Sequence, residues 1–168
     1  MGIMLARIDD RLIHGQVIVG WVRRYKIDRI IVSDDRAAKD SFQKSLIEMA
    51  VADSEIEVLV LTTEETSDRI LKGHFENHRA ILLMSSPGEA LRLLSKGVRL
   101  PVLNIGNIRH TDGCEQLTES VFASEKCLTD FKELHKLGVR LEYQAAPDDP
   151  AIDLSGRFAS RLKVQSHR

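Results

Sequence analysis

The sequence predicts an α/β fold: a single doubly wound, mainly parallel sheet with helices on both faces. Three observations predict it. Short runs rich in Ile, Val and Leu alternate with longer helix-like patterns from the first residues to about Gly106. The runs are almost wholly apolar rather than alternating, as strands covered on both faces must be. Each is separated from the next by a segment long enough for a crossover, and right-handed crossovers then place helices on both sides of the sheet.

The elements follow in order. Ile3–Ile8 reads as the first strand and Gln16–Tyr25 as a helix, with Ile18, Trp21, Val22 and Tyr25 along one face. Arg29–Ser33 is a strand, followed by a helix near Ala37–Ala50 whose inner stripe is Phe42, Leu46 and Met49. Glu57–Leu61 is a strand, and Glu64–Leu71 a weaker helix ending at Gly73. Ala80–Met84 is a strand that leads into the clearest helix start in the chain. Ser86 suits the cap, Pro87 the first helical position, and Glu89 completes a capping box. That helix runs to Lys96 and stops at Gly97, and Pro101–Ile105 is the next strand.

Beyond Gly106 the rhythm changes. Thr118–Phe122 reads as a short strand, and Ser124–Leu137 as a helix capped by Ser124 and ended by Gly138. Its buried stripe is Cys127, Leu128, Phe131 and Leu134. Val139–Tyr143 is a last strand, Asp148-Asp149-Pro150 a turn, and the final segment a docked or fraying helix. There is no internal repeat, low-complexity stretch or linker, so residues 1–168 are expected to form one domain.

Composition narrows the function. At 168 residues, 43% hydrophobic and 29% charged, the chain has the make-up of a globular protein with a substantial core. With 24 basic and 25 acidic residues there is no global field to favour nucleic acid or an anionic membrane. Two cysteines, Cys114 and Cys127, are too few for a disulfide framework and fit a reducing compartment. The first strand begins at once, without the pattern of a signal peptide or anchor. No apolar run approaches the roughly 18 residues that span a bilayer. A cytoplasmic protein is expected, with any membrane role exercised through a partner.

The chemistry is concentrated at Arg7-Ile8-Asp9-Asp10-Arg11-Leu12-Ile13-His14-Gly15-Gln16-Val17, where the first strand gives way to the first helix. Ligands of open α/β sheets bind at such turns, outside the carboxyl ends of strands. An imidazole is largely neutral at pH 7 and nucleophilic. A phosphoryl group on a ring nitrogen is labile enough to be passed on, and needs its negative charge neutralised more than it needs covalent help. Arg11 can engage two phosphoryl oxygens at once. Gly15 leaves room for a partner's phosphate, the helix start supplies N–H donors, and Gln16 can close the cradle. Asp9 or Asp10 is placed to accept the other imidazole N–H or to hold Arg11. A solitary histidine in a turn is ordinarily a polar surface residue, with Asp10 capping the helix. The density of complementary groups around His14 argues for phosphate chemistry instead.

Other chemistries find less support. Asp9-Asp10 and Asp34-Asp35 end two strands and can in principle gather Mg²⁺, as in a phospho-accepting receiver domain. That reading requires an acceptor Asp ending the third strand and a Lys ending the fifth, where the chain has Leu61-Thr62-Thr63 and Ile105-Gly106-Asn107. Asp34 and Asp35 are read as helix caps, and no metal or cofactor is called for. There is neither a Gly-x-x-x-x-Gly-Lys-Ser/Thr loop nor a Gly-x-Gly-x-x-Gly turn. His74 and His78 lie four apart, but Gly73 and Asn77 break the helix a metal pair would need, His110 with Cys114 lacks further ligands, His135 reads as half-exposed and His167 lies in a tail. Cys127 reads as core packing. Arg23, Arg24 and Lys26 form a basic helix end.

The segment Ala6 to Val17 closely resembles the N-terminal signature of IIB subunits of the mannose/fructose/sorbose family of the bacterial phosphoenolpyruvate-dependent sugar phosphotransferase system. Ile30-Ile31-Val32-Ser33-Asp34-Asp35 is similar to the family's second strand. Phe131-Lys132-Glu133-Leu134 with Gly138-Val139 is similar to its late helix and strand, so the likeness covers roughly residues 3 to 150. The resemblance implies a phosphotransferase component with His14 as the phosphorylated residue and Arg11 as the arginine supporting the phosphoryl group. It implies a IIA protein or domain as donor and a sugar held by membrane IIC and IID components as acceptor, with peripheral attachment to the inner membrane through them. Asp10, Gly15 and Gln16 complete the expected support. Homo-oligomerisation is left open. The chain departs from the family pattern at Gly106-Asn107-Ile108-Arg109-His110, where a Gly-Gly-Met stretch is usual, and at Ser85-Ser86-Pro87. The alternative is a regulatory phosphocarrier that keeps His14 chemistry but signals by protein binding without sugar transport.

Overall fold

The computed structural model describes residues 2–162, with side chains of the last helix described up to Ala159. The first strand, β1 (Gly2–Asp9), grows more buried along its length, and its last four residues are buried. β2 (Arg29–Ser33), β3 (Glu57–Leu61), β4 (Arg79–Met84), β5 (Val102–Asn107) and β8 (Arg140–Tyr143) join it in one parallel array. A short antiparallel strand, β9 (Ile152–Asp153), closes the edge, so the sheet has seven strands in the order β3-β2-β4-β1-β5-β8-β9. β6 (Glu115–Thr118) and β7 (Val121–Ala123) form a separate hairpin.

Alternation of side chains along the strands divides the core into two layers. On one face Ile30, Val32, Ile81 and Leu83 meet Val17, Trp21 and Ile47 of the first helices. On the other face Ile8, Ile31, Leu82 and Ile105 meet Leu93, Phe131, Leu134 and Phe158 of later helices. The doubly wound, mainly parallel architecture is therefore as the sequence predicts. Chain direction reverses around β1: the segment after β1 crosses to the first face, whereas those after β4 and β5 cross to the second. A crevice opens at the carboxyl end of β1, between it and its neighbours.

Several elements differ from expectation. The first helix, α1, contains a π-helical stretch over Val17–Val22 and continues as an α-helix over Arg23–Tyr25. The long helix expected near residues 37–50 is two, α2 (Asp35–Lys39) and α3 (Ser41–Met49). Asp40 adopts an extended backbone between them and accepts N–H bonds from Phe42 and Gln43, capping α3. The break resets the helical phase, so Phe42, Leu46 and Met49 are 72%, 50% and 71% exposed and Ile47 points inward instead.

α4 (Thr63–Leu71) carries a complete capping box between Thr62 and Glu65. α5 (Pro87–Ser95) starts at Ser86 with Pro87 in the first turn, but Ser86 makes no capping bond. Glu89 is drawn instead to the Thr63 hydroxyl at 2.7 Å and pairs with Arg92, so the expected box does not form. The expected strand Thr118–Phe122 is the β6–β7 hairpin, with its turn at Glu119-Ser120. α6 (Glu125–Lys136) is capped by the Ser124 hydroxyl, with Phe131 and Leu134 fully buried and Cys127 and Leu128 packed beside the core. α7 (Ser155–Leu162) docks through Phe158, whose ring stacks on Phe131. His167 lies outside the described residues.

Candidate active site

The carboxyl end of β1 carries three residues whose side chains alternate in direction: Arg7 and Asp9 share one side and Asp10 takes the other. Leu12 then turns the chain. It adopts a left-handed φ of +56°, rare for a branched residue, while its side chain is buried in the first-face core. The Leu12 N–H closes onto the Asp9 carbonyl at 2.9 Å. This anchored, strained turn folds residues 9 to 14 back on themselves and brings His14 over Asp9.

Asp9 is the hub. It is fully buried, and Oδ2 lies 3.0 Å from His14 Nε2. Arg11 donates to it from its backbone N–H at 3.2 Å, from Nε at 3.0 Å and from Nη2 at 3.1 Å. Arg7 Nη2 donates to Oδ2 at 3.2 Å. Burial by itself would raise the Asp9 carboxyl. The hydrogen bonds from His14 and Arg11 and the charge of Arg7 outweigh it and hold the group well below the usual carboxylate range. Asp9 therefore stands as a carboxylate, and a carboxylate beside Nε2 makes that nitrogen the protonated one.

Two consequences follow for His14. Its side chain is only 18% exposed, and Nδ1 has no hydrogen-bond partner among the described residues, so the unprotonated nitrogen is the free one. Around it, the backbone N–H groups of Ile13, His14, Gly15 and Gln16 also lack acceptors among the described residues, whereas those of Val17 and Ile18 turn back onto the His14 carbonyl. Unpaired amides at a helix start are donors for an anion. A side chain at Gly15 would meet nothing within 4 Å, so the approach to these amides is open.

Arg11 is 40% exposed, and its Nη1 is unpartnered among the described residues; Nη2 also reaches the Gln16 amide oxygen at 3.5 Å. Asp10 lies on the opposite side. Its carboxylate accepts from Asn107 Nδ2 at 2.7 Å, from the Arg109 N–H at 2.9 Å and from Arg109 Nε at 2.8 Å, tying the loop after β5 to the turn. The departure from the Gly-Gly-Met pattern thus has a structural role, since Asn107 and Arg109 clasp Asp10. The turn opens beside a cleft of about 500 Å³ whose lining includes Asp10, Leu12, Arg36, Ser85 and Arg109. Asp34 caps α2 through N–H bonds from Arg36 and Ala37. Asp35 instead accepts the Thr63 N–H at the start of α4 at 2.7 Å. No group of three or more His, Cys, Asp or Glu residues among the described residues is arranged to hold a metal.

Arg7 is the residue that sequence reasoning passed over. It is fully buried, with Nη1 donating to Asn104 Oδ1 and to the Gln144 carbonyl, and Nη2 to the Ala145 carbonyl besides Asp9. Its guanidinium carbon sits 4.8 Å above the Trp21 ring. Space for it exists because residue 106 is glycine: a Cβ there would lie 1.8 Å from Nη2. The signal was present, since an arginine inside an otherwise apolar strand requires a buried partner, and Asp9 two residues on shares its side of the strand.

A family model described as the PTS system sorbose subfamily IIB component matches residues 3–167. The chain belongs to this IIB family. It is similar to the fructose-specific EIIB component of Bacillus subtilis, 35% identical over 91% of this chain and 93% of that protein. It is 33% identical to the sorbose-specific EIIB component of Klebsiella pneumoniae, over 92% and 93% of the two chains. The crystal structure of the Klebsiella pneumoniae IIBSor domain matches with a TM-score of 0.86 at 31% identity, covering 95% of this chain and 98% of that one. The mannose-specific EIIAB component of Escherichia coli is 33% identical, and this chain spans 47% of its length. As a IIB component, the protein is part of the sugar phosphotransferase machinery. Among the described residues no helix is long and apolar enough to cross a membrane.

Proposed function

We propose that this IIB component carries a phosphoryl group on Nδ1 of His14, taken from a IIA protein or domain and passed to a sugar bound by membrane IIC and IID components. The observation that carries the reading is the pairing of His14 Nε2 with buried Asp9, which leaves Nδ1 bare beside four unpaired backbone N–H groups. In the forward step, the Nδ1 lone pair forms the new N–P bond as the donor's N–P bond breaks. The positive charge that develops on the ring is met by the Asp9 carboxylate through Nε2–H, as in other carboxylate–imidazole pairs. The phosphoryl oxygens fall to the amides of residues 13 to 16 and to the free Nη1 of Arg11. The return step uses the same contacts in reverse, since a ring held cationic by Asp9 is a good leaving group. The A and B parts of the mannose-specific relative sit in one chain, which supports a IIA partner here.

The test is incubation with phosphoenolpyruvate, enzyme I, HPr and a IIA protein, read by intact mass. A single acid-labile phosphoryl adduct is expected on the wild type and none on His14→Ala. Absence of an adduct on the wild type overturns the reading. Release of that phosphoryl group only when membranes bearing IIC, IID and sugar are added establishes the transport step.

A further inference from the structure

We infer that Arg7 is a positioning residue for phosphoryl transfer: acting through Asp9, it fixes the His14 imidazole as the Nε2–H tautomer and so selects Nδ1 as the reacting nitrogen. The inference rests on the reading of His14 as the phosphoryl acceptor.

The geometry separates Arg7 from Arg11. Arg11 reaches Asp9 from the solvent side and retains an unpaired Nη1, so it is free to follow a phosphate. Arg7 approaches from within the sheet, makes no hydrogen bond to the imidazole and does not line the cleft. Its contacts are with the Asp9 carboxylate, the Asn104 side chain of the neighbouring strand, two carbonyls just past β8, and the face of Trp21. These come from β1, β5, the segment after β8 and the π-helical part of α1, so the guanidinium is fixed from four directions. The same segment after β8 packs on α1, for a Cβ at Gly20 would lie 3.1 Å from the Pro147 ring.

A guanidinium held this way does two things to Asp9. It fixes Oδ2, the oxygen facing His14, at a set place and orientation. It also guarantees that Asp9 stays a carboxylate when Arg11 swings toward an incoming phosphate, because one cation remains. Only an ionised, oriented Asp9 holds the proton on Nε2. Were Asp9 to move or become protonated, the imidazole would sample both tautomers and present a protonated Nδ1 to the donor part of the time. The glycine at 106, at the irregularity where the pairing of β1 with β5 shifts register, leaves the space that permits the arrangement.

The experiment is long-range ¹H–¹⁵N NMR of the imidazole in the unphosphorylated protein, combined with single-turnover phosphorylation by phosphorylated IIA. In the wild type the His14 nitrogens are expected to report one tautomer, with the proton on Nε2. In Arg7→Met a mixture of tautomers is expected, with the transfer rate lowered by about tenfold or more and the half-saturating IIA concentration unchanged, as for a group that acts on the step and not on docking. Arg7→Lys, which keeps the charge, restores most of the single-tautomer signal. Asn104→Ala removes one anchor and leaves the charge, and a partial loss of tautomer purity is expected there even if Arg7→Met does not fold. A pure Nε2–H signal in folded Arg7→Met, or in Asn104→Ala where Arg7→Met is unfolded, overturns the inference. The tautomer is read without any phosphoryl donor, so failure of His14 to accept phosphate would sink the proposed function while leaving this result to stand or fall by itself.

Discussion

Five N–H groups converge on the Asp9 carboxylate, three from Arg11 and one each from Arg7 and His14, and the chemistry of the turn depends on how that carboxylate is shared. Arg11 gives Nε and Nη2 to Asp9, and its Nη1 is unpaired among the described residues. Arg11→Ala is expected to slow single-turnover phosphorylation by about 10–100-fold, the loss of one or two charge-assisted hydrogen bonds. Because its side chain is part-exposed, the urea unfolding midpoint should change little; an unchanged transfer rate would remove Arg11 from the step. Asp9 has a depressed carboxyl in the folded protein, so its stabilisation is fully present above the unfolded value near pH 4 and is lost as pH falls below that toward the folded value. Asp9→Asn is expected to destabilise by about 3–5 kcal/mol at neutral pH, since Arg7 is left buried without its counter-ion. The gap between wild type and variant should hold constant from pH 7 to about 5 and narrow as pH falls below about 4. A gap that keeps its size in acid would contradict the linkage. That His14, Arg11, Gly15 and Gln16 gather at the strand-to-helix turn was legible from the sequence alone. The division of labour between Asp9 and Asp10 was not, because it depends on which side of β1 each faces and on Asn107 and Arg109 arriving from nearly a hundred residues away.

Among the elements, the parallel strands were the most legible, because a strand buried on both faces must be apolar throughout and little else in the chain is. Arg29–Ser33 and Glu57–Leu61 coincide with their expected limits. α3 differs in phase from the single helix expected over residues 37–50. A continuous helix from residue 37 would turn Phe42, Leu46 and Met49 inward, and the Asp40 cap that interrupts it is a local competitor with the apolar pattern. Unfolding energies test this directly: Phe42→Ala and Met49→Ala should stay within about 0.5 kcal/mol of wild type, as exposed positions do. Ile47→Ala should cost about 2–5 kcal/mol, as a buried truncation does. The reverse ranking would restore the continuous helix. The β6–β7 hairpin and β9 were illegible for a different reason. Strands of two to four residues carry too little pattern, and their pairing is made by the tertiary surroundings.

For the whole molecule, the sheet order places the reversal of winding at β1, so the crevice that receives ligands in open α/β sheets coincides with the histidine turn. The chain as a whole carries a formal charge of only −1 and cannot steer a phosphorylated partner through its global field. What attraction exists must be local. Arg36 and Arg109 line the cleft with Asp10, Asp34 and Glu89; Arg109 is paired with Asp10 and Glu89 with Arg92, so Arg36, which has no ion-pair partner among the described residues, and part-exposed Arg11 supply the outward positive charge. A phosphoryl group carried on His14 would meet this local positive charge, whose reach is about 10 Å at 0.1 M salt. The second-order rate of transfer from phosphorylated IIA is expected to fall several-fold, roughly three- to tenfold, between about 50 and 500 mM NaCl. The single-turnover rate within the preformed complex should change less than about twofold, because contacts inside an occluded site are weakly screened. Arg36→Gln should weaken the salt dependence while leaving the rate inside the complex intact. Transfer that is insensitive to salt in the wild type would mean that docking is driven by apolar contact, for which the uncovered Phe42, Leu46 and Met49 of α3 would then be the first positions to vary.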